Sequence, residues 1–368
     1  METHEPPISE WEIARLREAV GDVFTVSDVT PGPAKHVALR LRGRLMIPAH
    51  QAYEQVNRRF REMGYTPIFQ REGSDDVILA VRGVIRATPS RPWLAALMFL
   101  ATVVSVTFAG MSMVEPPPGH LFPSPLAGLP FAVSLLSILL VHELGHYFVA
   151  QAYGVPVSLP YFIPMPLNLF GTMGAFIRMK APPTNRRVLM SIAAAGPLAG
   201  LVVAIPILII GLLLSEVTPL PTGRPLLMEG NSLLYLGIKF LIFRRVLPGG
   251  GVDVMLHPVA MAGWAGLMVT ALNLIPAGQL DGGHVIYALL GEKARWLTWL
   301  IIGALLALGF VWSGWFLLAG LVFIFGQRPA APLDAITALD WPRQALALLI
   351  VIVFILIFTP VPMVMRQF

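Results

Sequence analysis

The sequence contains no cysteine and little charge. The absence of cysteine among the 368 residues excludes disulfide bonds, thiolate metal sites and thiol-based redox regulation. A metal ion would therefore need histidine, carboxylate, carbonyl or water ligands. Charged residues make up only 13% of the chain and hydrophobic residues 56%, whereas about 25% of the residues in soluble proteins are charged. This composition predicts a polytopic α-helical membrane protein.

The charge that is present is concentrated near the N-terminus. Residues 1–91 hold 13 of the 26 lysines and arginines and 12 of the 21 aspartates and glutamates, which predicts a separate small soluble α/β domain. Ser9 and Glu12 predict a helix with a capping box, and alternating residues in 36–46 predict a strand within an α-β-β-α-β-β order. The domain contains no ligand motif, so the sequence leaves open whether the domain is purely structural or has a regulatory or substrate-filtering role. The nearly balanced charge does not favour nucleic acid binding.

The rest of the chain is organised into long apolar stretches. A helix of about 20 residues crosses about 30 Å of hydrocarbon, and two of the seven stretches are short and weakly separated, so we expect six to seven transmembrane helices. Residues 231–246 are apolar on one side and end in two arginines, which predicts a helix at the membrane interface. The predicted spans are 93–114, 127–151, 187–214, 258–276, 295–311, 313–326 and 343–361.

Basic residues predict the orientation in the membrane. Arg82 and Arg91 precede the first span, and Arg178 and Lys180 follow the second, whereas the loop 115–125 between these spans has no lysine or arginine. The positive-inside rule therefore predicts that the N-terminal domain is cytoplasmic. The polar, acidic first residues resemble no signal or transit peptide, so we expect a mature prokaryotic chain in the cell membrane.

Residues 138–150, ILLVHELGHYFVA, place an HExxH motif inside an apolar span. On a helix, His142 and His146 share one face with Cβ atoms roughly 5–6 Å apart, so both can reach one metal ion at ~2.0–2.1 Å. Glu143 lies beside them, where it can serve as a general base. Ionisable groups at this depth are costly and usually functional. The alternative is a pair of buried histidines satisfied by carbonyl groups.

A third ligand should be another ionisable residue at the same depth. Candidates are His120 in an outer loop, His257 at an outer boundary, and Asp281. At ~1.5 Å per residue, His142 and Asn273 both lie ~22 Å from the outer ends of their spans. A proline and glycines beyond Asn273 break the helix, which lets Asp281 turn back toward the histidines instead of continuing to the cytosol.

HELGH followed by N-x-x-P-x-x-x-L-D-G-G at 273–283 resembles the site-2 protease family of intramembrane zinc metalloproteases. The small-residue stretch 193–200 resembles the third core helix of that family, where close helix packing is expected. No PDZ-like insertion is present, and the soluble N-terminal domain resembles a branch shared by archaea, some bacteria and plastids. The resemblance implies zinc held by His142, His146 and Asp281, with Glu143 as general base and Asn273 holding the substrate backbone or the oxyanion.

The resemblance also implies a domain organisation and an activity. A three-helix metalloprotease core at 127–290 would follow a first transmembrane helix and outer loop at 92–126 and precede C-terminal transmembrane helices at 291–368. The implied reaction is hydrolysis of membrane-spanning protein substrates within the bilayer, near its cytoplasmic side. The alternatives are a zinc transporter or sensor, which would not require Glu143, and a membrane-anchored protease that cuts soluble chains. Two imidazoles and one carboxylate could also bind iron or cobalt.

Two further features have more than one interpretation. The proline-rich segment 155–180 is not expected to be helical, and we predict a re-entrant loop whose strand near 174–178 offers an edge to the substrate. A structural loop with basic anchors is the alternative. His284 either supports Asp281 or faces the cytosol at a helix end.

Overall fold

The computed structural model describes residues 8–34, 36–85, 88–121, 123–220, 223, 225–326 and 331–367. The first residues, on which the prediction of an uncleaved N-terminus rests, lie outside these ranges. The chain divides into two compact units. The first unit comprises Met1–Thr88, Lys180–Leu189 and Ala330–Arg343, and the second comprises Pro89–Met179, Met190–Pro329 and Gln344–Phe368.

The first unit is a four-stranded antiparallel sheet with two helices, in the predicted α-β-β-α-β-β order. The strands lie in the order β1-β2-β4-β3, and buried apolar side chains of both helices pack with those of the sheet in one core. Ser9 and Glu12 form the predicted capping box. The elements are α1 (Glu10–Glu18), β1 (Phe24–Ala34), β2 (Val37–Leu45), α2 (Ala49–Glu62), β3 (Tyr65–Glu72) and β4 (Asp75–Arg82).

Strand β1 is the element that the sequence pattern did not locate. It contains Pro31 and Pro33, which cannot donate to a sheet ladder, and its register against β2 shifts twice, after Val26 and after Pro31. Prolines and irregularities of this kind are confined to edge strands. The position of β1 at the edge of the sheet is consistent with this rule.

The opposite edge of the sheet, β3, is covered by a segment from the far end of the chain. Phe69 donates to the Leu333 carbonyl at 2.8 Å and accepts from the Ala335 N–H at 2.9 Å, and Asp334 donates to the Thr184 carbonyl at 2.7 Å. The predicted boundary at residue 91 therefore omits two later segments that complete this unit. Such a cover removes an exposed edge that could pair with other chains.

Asp334 fixes the shape of that covering segment. Its side chain is fully buried and accepts hydrogen bonds from the Ile336 and Thr337 N–H groups and from the Thr337 hydroxyl. Burial raises the pKa of the Asp334 carboxyl, and these donors offset part of the shift.

The second unit contains the apolar helices, and their bounds lie within a few residues of the predicted spans. Three helices of the described residues are long and apolar enough to cross a membrane: α3 (Pro92–Met111), α4 (Pro125–Ala152) and α5 (Arg186–Leu213). The total of six to seven spans stays a prediction, because the other helices are shorter. These are α6 (Leu233–Phe243), α7 (Pro258–Asn273), α8 (Asp281–Leu290), α9 (Ala294–Gly309), α10 (Gly314–Phe325) and α11 (Trp341–Ile357).

Short strands connect the helices of the second unit. They form three two-stranded antiparallel sheets that pair β5 with β6, β7 with β9, and β8 with β10. The strands are β5 (Tyr161–Pro164), β6 (Thr172–Phe176), β7 (Glu216–Pro219), β8 (Pro225–Glu229), β9 (Val252–Met255) and β10 (Met363–Gln367).

Helix α6 has one buried face and one exposed apolar face, as a helix at a membrane interface requires. On its buried face, the Lys239 amino group lies 3.8 Å from a Glu229 oxygen and 4.0 Å from an Asp253 oxygen. The Glu229 carboxylate also accepts a hydrogen bond from the Tyr235 hydroxyl at 2.9 Å. This ionic cluster connects α6 to β8 and β9, and removal of one partner would leave an uncompensated buried charge.

Candidate metal centre

Helix α4 presents the two motif histidines on one buried face. His142 and His146 are 3% and 6% exposed, and their Nε2 atoms lie 3.3 Å apart. The four-residue spacing stacks the two side chains on successive turns of the helix. Two ring nitrogens that point at each other at this distance can share a cation but cannot both carry a proton toward the other.

Asp281 reaches the histidines because the chain turns sharply after α7. The helix ends at Asn273, Gly278 adopts a positive φ of 61°, and Asp281 begins α8. A side chain on Gly282 would collide with the Leu274 carbonyl, and one on Gly283 with the Gly278 carbonyl. The double glycine therefore permits the tight return that places the aspartate at the site.

The Asp281 carboxylate faces both imidazoles. One oxygen lies 3.3 Å from His142 Nε2 and the other lies 3.3 Å from His146 Nε2. In the described parts of the chain, these residues form the one group of three His, Asp or Glu side chains whose ligand atoms lie together, all within 4.8 Å. The candidates His120 and His257 are not part of it: His120 is exposed, and His257 caps α7 by accepting from the Val259 N–H.

The spacing of these atoms suits a zinc ion held by two imidazoles and a carboxylate. Bonds of ~2.0–2.1 Å at tetrahedral angles separate neighbouring ligand atoms by about 3.3–3.4 Å, which is the separation of the two Nε2 atoms, and each Nε2 atom lies 3.3 Å from a different oxygen of Asp281. Nitrogen and oxygen donors of this kind suit zinc. Three protein ligands leave the fourth position of a tetrahedron for water or substrate, which is the pattern of a catalytic site.

A carbonyl group of α5 orients one of the histidines. His146 Nδ1 lies 2.7 Å from the Ile192 carbonyl oxygen, so Nδ1 carries the proton and Nε2 keeps its lone pair for the site. Partners of this kind fix the tautomer and the ring orientation of metal ligands. The sequence could not predict this contact, because a backbone carbonyl leaves no signal in a residue pattern.

Two glycines of α5 make room for the histidine rings. A Cβ atom on Gly196 would overlap the His146 ring, and one on Gly200 would lie 3.1 Å from His142 Nδ1. A third glycine, Gly145 of α4, faces the Ala195 carbonyl in the same way. The predicted close packing of the stretch 193–200 is therefore present. The spacing of Gly196 and Gly200 equals that of the two histidines, a match that is visible in the sequences of the two helices.

Glu143 and Asn273 both lie beside the triad. Glu143 is 5% exposed, and the backbone of Ile177 lies close to its carboxylate. Asn273 Nδ2 lies 3.5 Å from His142 Nε2. The structure thus brings all five predicted site residues together. His284 lies one turn after Asp281 with a buried Nδ1 atom that has no hydrogen-bond partner among the described residues.

The segment 155–180 is a hairpin next to the site, not a helix. β5 and β6 pair between Tyr161 and Phe176, and Ser158 and Arg178 extend the ladder with a 2.9 Å hydrogen bond. The strand lies slightly earlier than the predicted 174–178. The Gly171 carbonyl accepts from the Ser105 hydroxyl of α3 at 2.6 Å, which anchors the hairpin tip. Among the described strands, β6 pairs with β5 alone.

Comparison with known proteins identifies the helical region that carries this site. Residues 130–309 match the family described as peptidase family M50. The chain carries a family M50 peptidase domain. This match confirms the resemblance to the site-2 protease family. The matched range contains both motifs and the hairpin.

Curated relatives of this chain include plant proteins. A rice protein named probable zinc metalloprotease EGY1, chloroplastic, is 33% identical over 313 residues, 77% of this chain and 53% of its own length. An Arabidopsis thaliana protein named probable zinc metalloprotease EGY2, chloroplastic, is 35% identical over 242 residues, 64% of this chain and 42% of its own length. The chain thus spans about half the length of the curated relatives it matches. Their chloroplastic names do not support the predicted prokaryotic origin.

Substitution of Gly196 tests the packing of α5 against the histidines. We expect Gly196→Ala to lower zinc affinity about 10–100-fold, the usual cost of disturbing the residues that orient metal ligands, because the new methyl group displaces the His146 ring. Gly303→Ala is the matched control, since a Cβ at Gly303 of α9 would meet open space. Zinc content per chain and chelator competition measure the effect, and circular dichroism reports the helix content. Wild-type zinc affinity in Gly196→Ala would contradict the packing described.

Proposed function

We propose that the chain is an intramembrane zinc endopeptidase that hydrolyses transmembrane protein substrates near the cytoplasmic side of the membrane. The observation that carries this proposal is the placement of Glu143 next to His142, His146 and Asp281, whose ligand atoms all lie within 4.8 Å of one another and could hold one metal ion. A transporter requires the three ligands but no base beside them. The names of the relatives support the protease and not the transporter.

Each residue of the site has a separate role in peptide hydrolysis. Zinc held by the three side chains would supply a water whose pKa is lowered to about 7. Glu143 accepts a proton from the attacking water and later donates it to the leaving amine. Asn273 donates from Nδ2 to the carbonyl oxygen of the bond that is cut, where negative charge develops. Burial of Glu143 and the histidines keeps bulk water from weakening these interactions.

The hairpin can help to extend a helical substrate before cleavage. A peptide bond inside a helix is shielded by its own turn, so the substrate must be extended before it is cut. We place the extended substrate along β6, which supplies backbone groups for strand pairing. The proximity of the Ile177 backbone to Glu143 supports this placement, since Ile177 directly follows β6.

The distribution of basic residues supports a cytoplasmic position for the first unit. Arg82, Arg178 and Lys180 belong to loops of one parity, and the loop at 115–125 has no lysine or arginine. The site then lies toward the cytoplasmic ends of α4 and α7. The lipid bilayer is the second partner of the protein, and no feature of the described residues suggests a nucleic acid.

Replacement of the base separates a protease from a transporter. We expect Glu143→Gln to keep wild-type zinc content and to lower the cleavage of a single-span reporter substrate by about 10²–10⁴-fold, the usual contribution of a general base. Glu115→Gln, in an exposed loop, is the matched control and should cleave normally. Purified protein in proteoliposomes allows zinc content, cleavage and zinc flux to be measured together. Zinc flux without cleavage in the wild type would refute the protease assignment.

Substitutions at Phe176 test strand pairing along β6. Phe176→Pro removes one backbone N–H from the strand, and we expect it to lower cleavage at least about 10-fold while zinc content stays unchanged. Phe176→Ala keeps the N–H and should retain most activity, which separates the backbone from the side chain. Equal cleavage by both variants, with the hairpin intact by limited proteolysis, would count against pairing.

A further inference from the structure

A cavity of about 300 Å³ adjoins the metal centre inside the second unit. Its wall is built from α4, β6, α7 and α10, together with residues just before β6, before α10 and before and within β10. None of the metal ligands lines it. The cavity is therefore a separate feature of the helical region, and the chemistry described above does not use it.

Three of the four elements that line the cavity, α4, α7 and β6, also carry or adjoin residues of the metal centre. Leu139 lines the cavity one turn before His142 and Glu143 on α4. Leu272 lines it on α7 and precedes Asn273. Strand β6 lines it with Thr172–Gly174, and the chain then runs on to Ile177, which contacts Glu143.

The direction of β6 sets the distance between the cavity and the bond that is cut. From Gly174 to Ile177 the chain advances three residues, or about 10 Å at ~3.3 Å per residue. A substrate strand paired along β6 would therefore place a side chain in the cavity about three residues from the scissile bond. Successive side chains of a strand point to opposite faces, so its immediate neighbours would point away from the cavity.

The wall of the cavity is mostly apolar and favours apolar side chains. Three of its polar groups are already hydrogen-bonded: Thr172 Oγ1 donates to the Ile163 carbonyl at 2.8 Å, Trp315 Nε1 donates to the Pro360 carbonyl at 2.7 Å, and Asn168 Oδ1 accepts from the Phe170 N–H at 3.2 Å. A polar or charged side chain placed in the cavity would lose its hydration and gain no hydrogen bond, which is costly. An apolar side chain meets no such penalty.

The volume of the cavity indicates the size of the side chain. An apolar cavity of about 150 Å³ holds one benzene ring, and this cavity has about twice that volume. A substrate alanine would leave most of it empty, which forfeits the dispersion contacts that a filled cavity supplies. Large side chains such as phenylalanine, tryptophan or leucine would fill it.

We propose that this cavity is a specificity pocket, which selects substrates with a large apolar side chain about three residues from the bond that is cut. The proposal rests on the proposed protease function. Leu318 of α10 is a specificity-determining residue, because it lines the cavity and is not part of the metal centre. The substrate class is therefore a membrane-spanning protein with a bulky apolar residue at a fixed distance from its cleavage site.

A pair of opposite substitutions at Leu318 tests the proposal. The reporter substrate is varied to alanine, leucine, phenylalanine, tryptophan and aspartate at each of the five positions on either side of the cut, and kcat/KM is measured in proteoliposomes. For the wild type we expect one position, about three residues from the cut, at which alanine costs at least about 10-fold relative to phenylalanine. Leu318→Ala should shift the preference there toward tryptophan, and Leu318→Trp toward alanine.

Ile324 supplies the control, because it belongs to the same helix, is 67% exposed and does not line the cavity. Ile324→Ala and Ile324→Trp should keep the wild-type profile. A flat size profile in an active wild type, or the same profile in both Leu318 variants, would overturn the pocket and leave the protease function standing. Cleavage by the wild type no greater than that by Glu143→Gln would overturn the protease function and the pocket together.

A second measurement does not depend on cleavage. A substrate that carries a photoreactive phenylalanine analogue at the selected position is irradiated with the Glu143→Gln protein. We expect the label on residues 312–321 of the cavity wall. Labelling confined to helices that do not line the cavity, such as α11, would overturn the assignment even if the Leu318 variants were misfolded.

Discussion

The structure depends on one constraint: a bilayer supplies no water to satisfy polar groups, so a buried imidazole, carboxylate or backbone group is costly unless it has a partner within the protein. In the metal centre, the buried polar side chains satisfy this constraint by lying close to one another. The Nε2 atoms of His142 and His146 lie 3.3 Å apart, each lies 3.3 Å from one of the two Asp281 oxygens, and the outer nitrogen of His146 is satisfied by the Ile192 carbonyl. A cation among these groups would balance the carboxylate and use the remaining lone pairs.

The same constraint explains why irregular backbone and glycine gather around the site. The turn between α7 and α8 and the hairpin at 155–180 leave the helical ladder, and such segments survive at membrane depth only where protein covers them or a cavity adjoins them. Glycines allow this cover to be close, at Gly196 against His146 and at Gly171 against α3. Close packing of small residues thus substitutes for the solvent that a soluble protease would have around its metal ligands.

Much of the fold and the site could be predicted from sequence, because the signals are strong and local. Apolar runs mark the helices to within a few residues, and the four-residue spacing of the histidines on α4 is enough to predict two ligands. Equal depth of His142 and Asn273 made Asp281 a possible third ligand, and the resemblance to the site-2 protease family selected it. The proline-rich composition of 155–180 indicated a non-helical segment, although not the position of β6.

Other features could not be predicted, because they arise from contacts between distant segments that leave no pattern. The Ile192 carbonyl, the cover of β3 by Leu333 and Ala335, and the cavity beside Leu318 all bring together parts of the chain with no periodic relation. Strand β1 was expected from the order of elements but not located, for a different reason: its prolines resemble a loop, and its place at a sheet edge makes them acceptable.

The central claim, that two imidazoles and one carboxylate hold a single zinc ion, is tested most directly by zinc K-edge X-ray absorption on the purified protein and its Asp281→Ala variant. The account predicts one zinc per wild-type chain, with only nitrogen and oxygen ligands at about 2.0–2.1 Å and two of them imidazoles, and loss of the zinc or of one oxygen ligand in the variant. An identical ligand shell in both proteins, or a wild-type shell without two imidazoles, would contradict it.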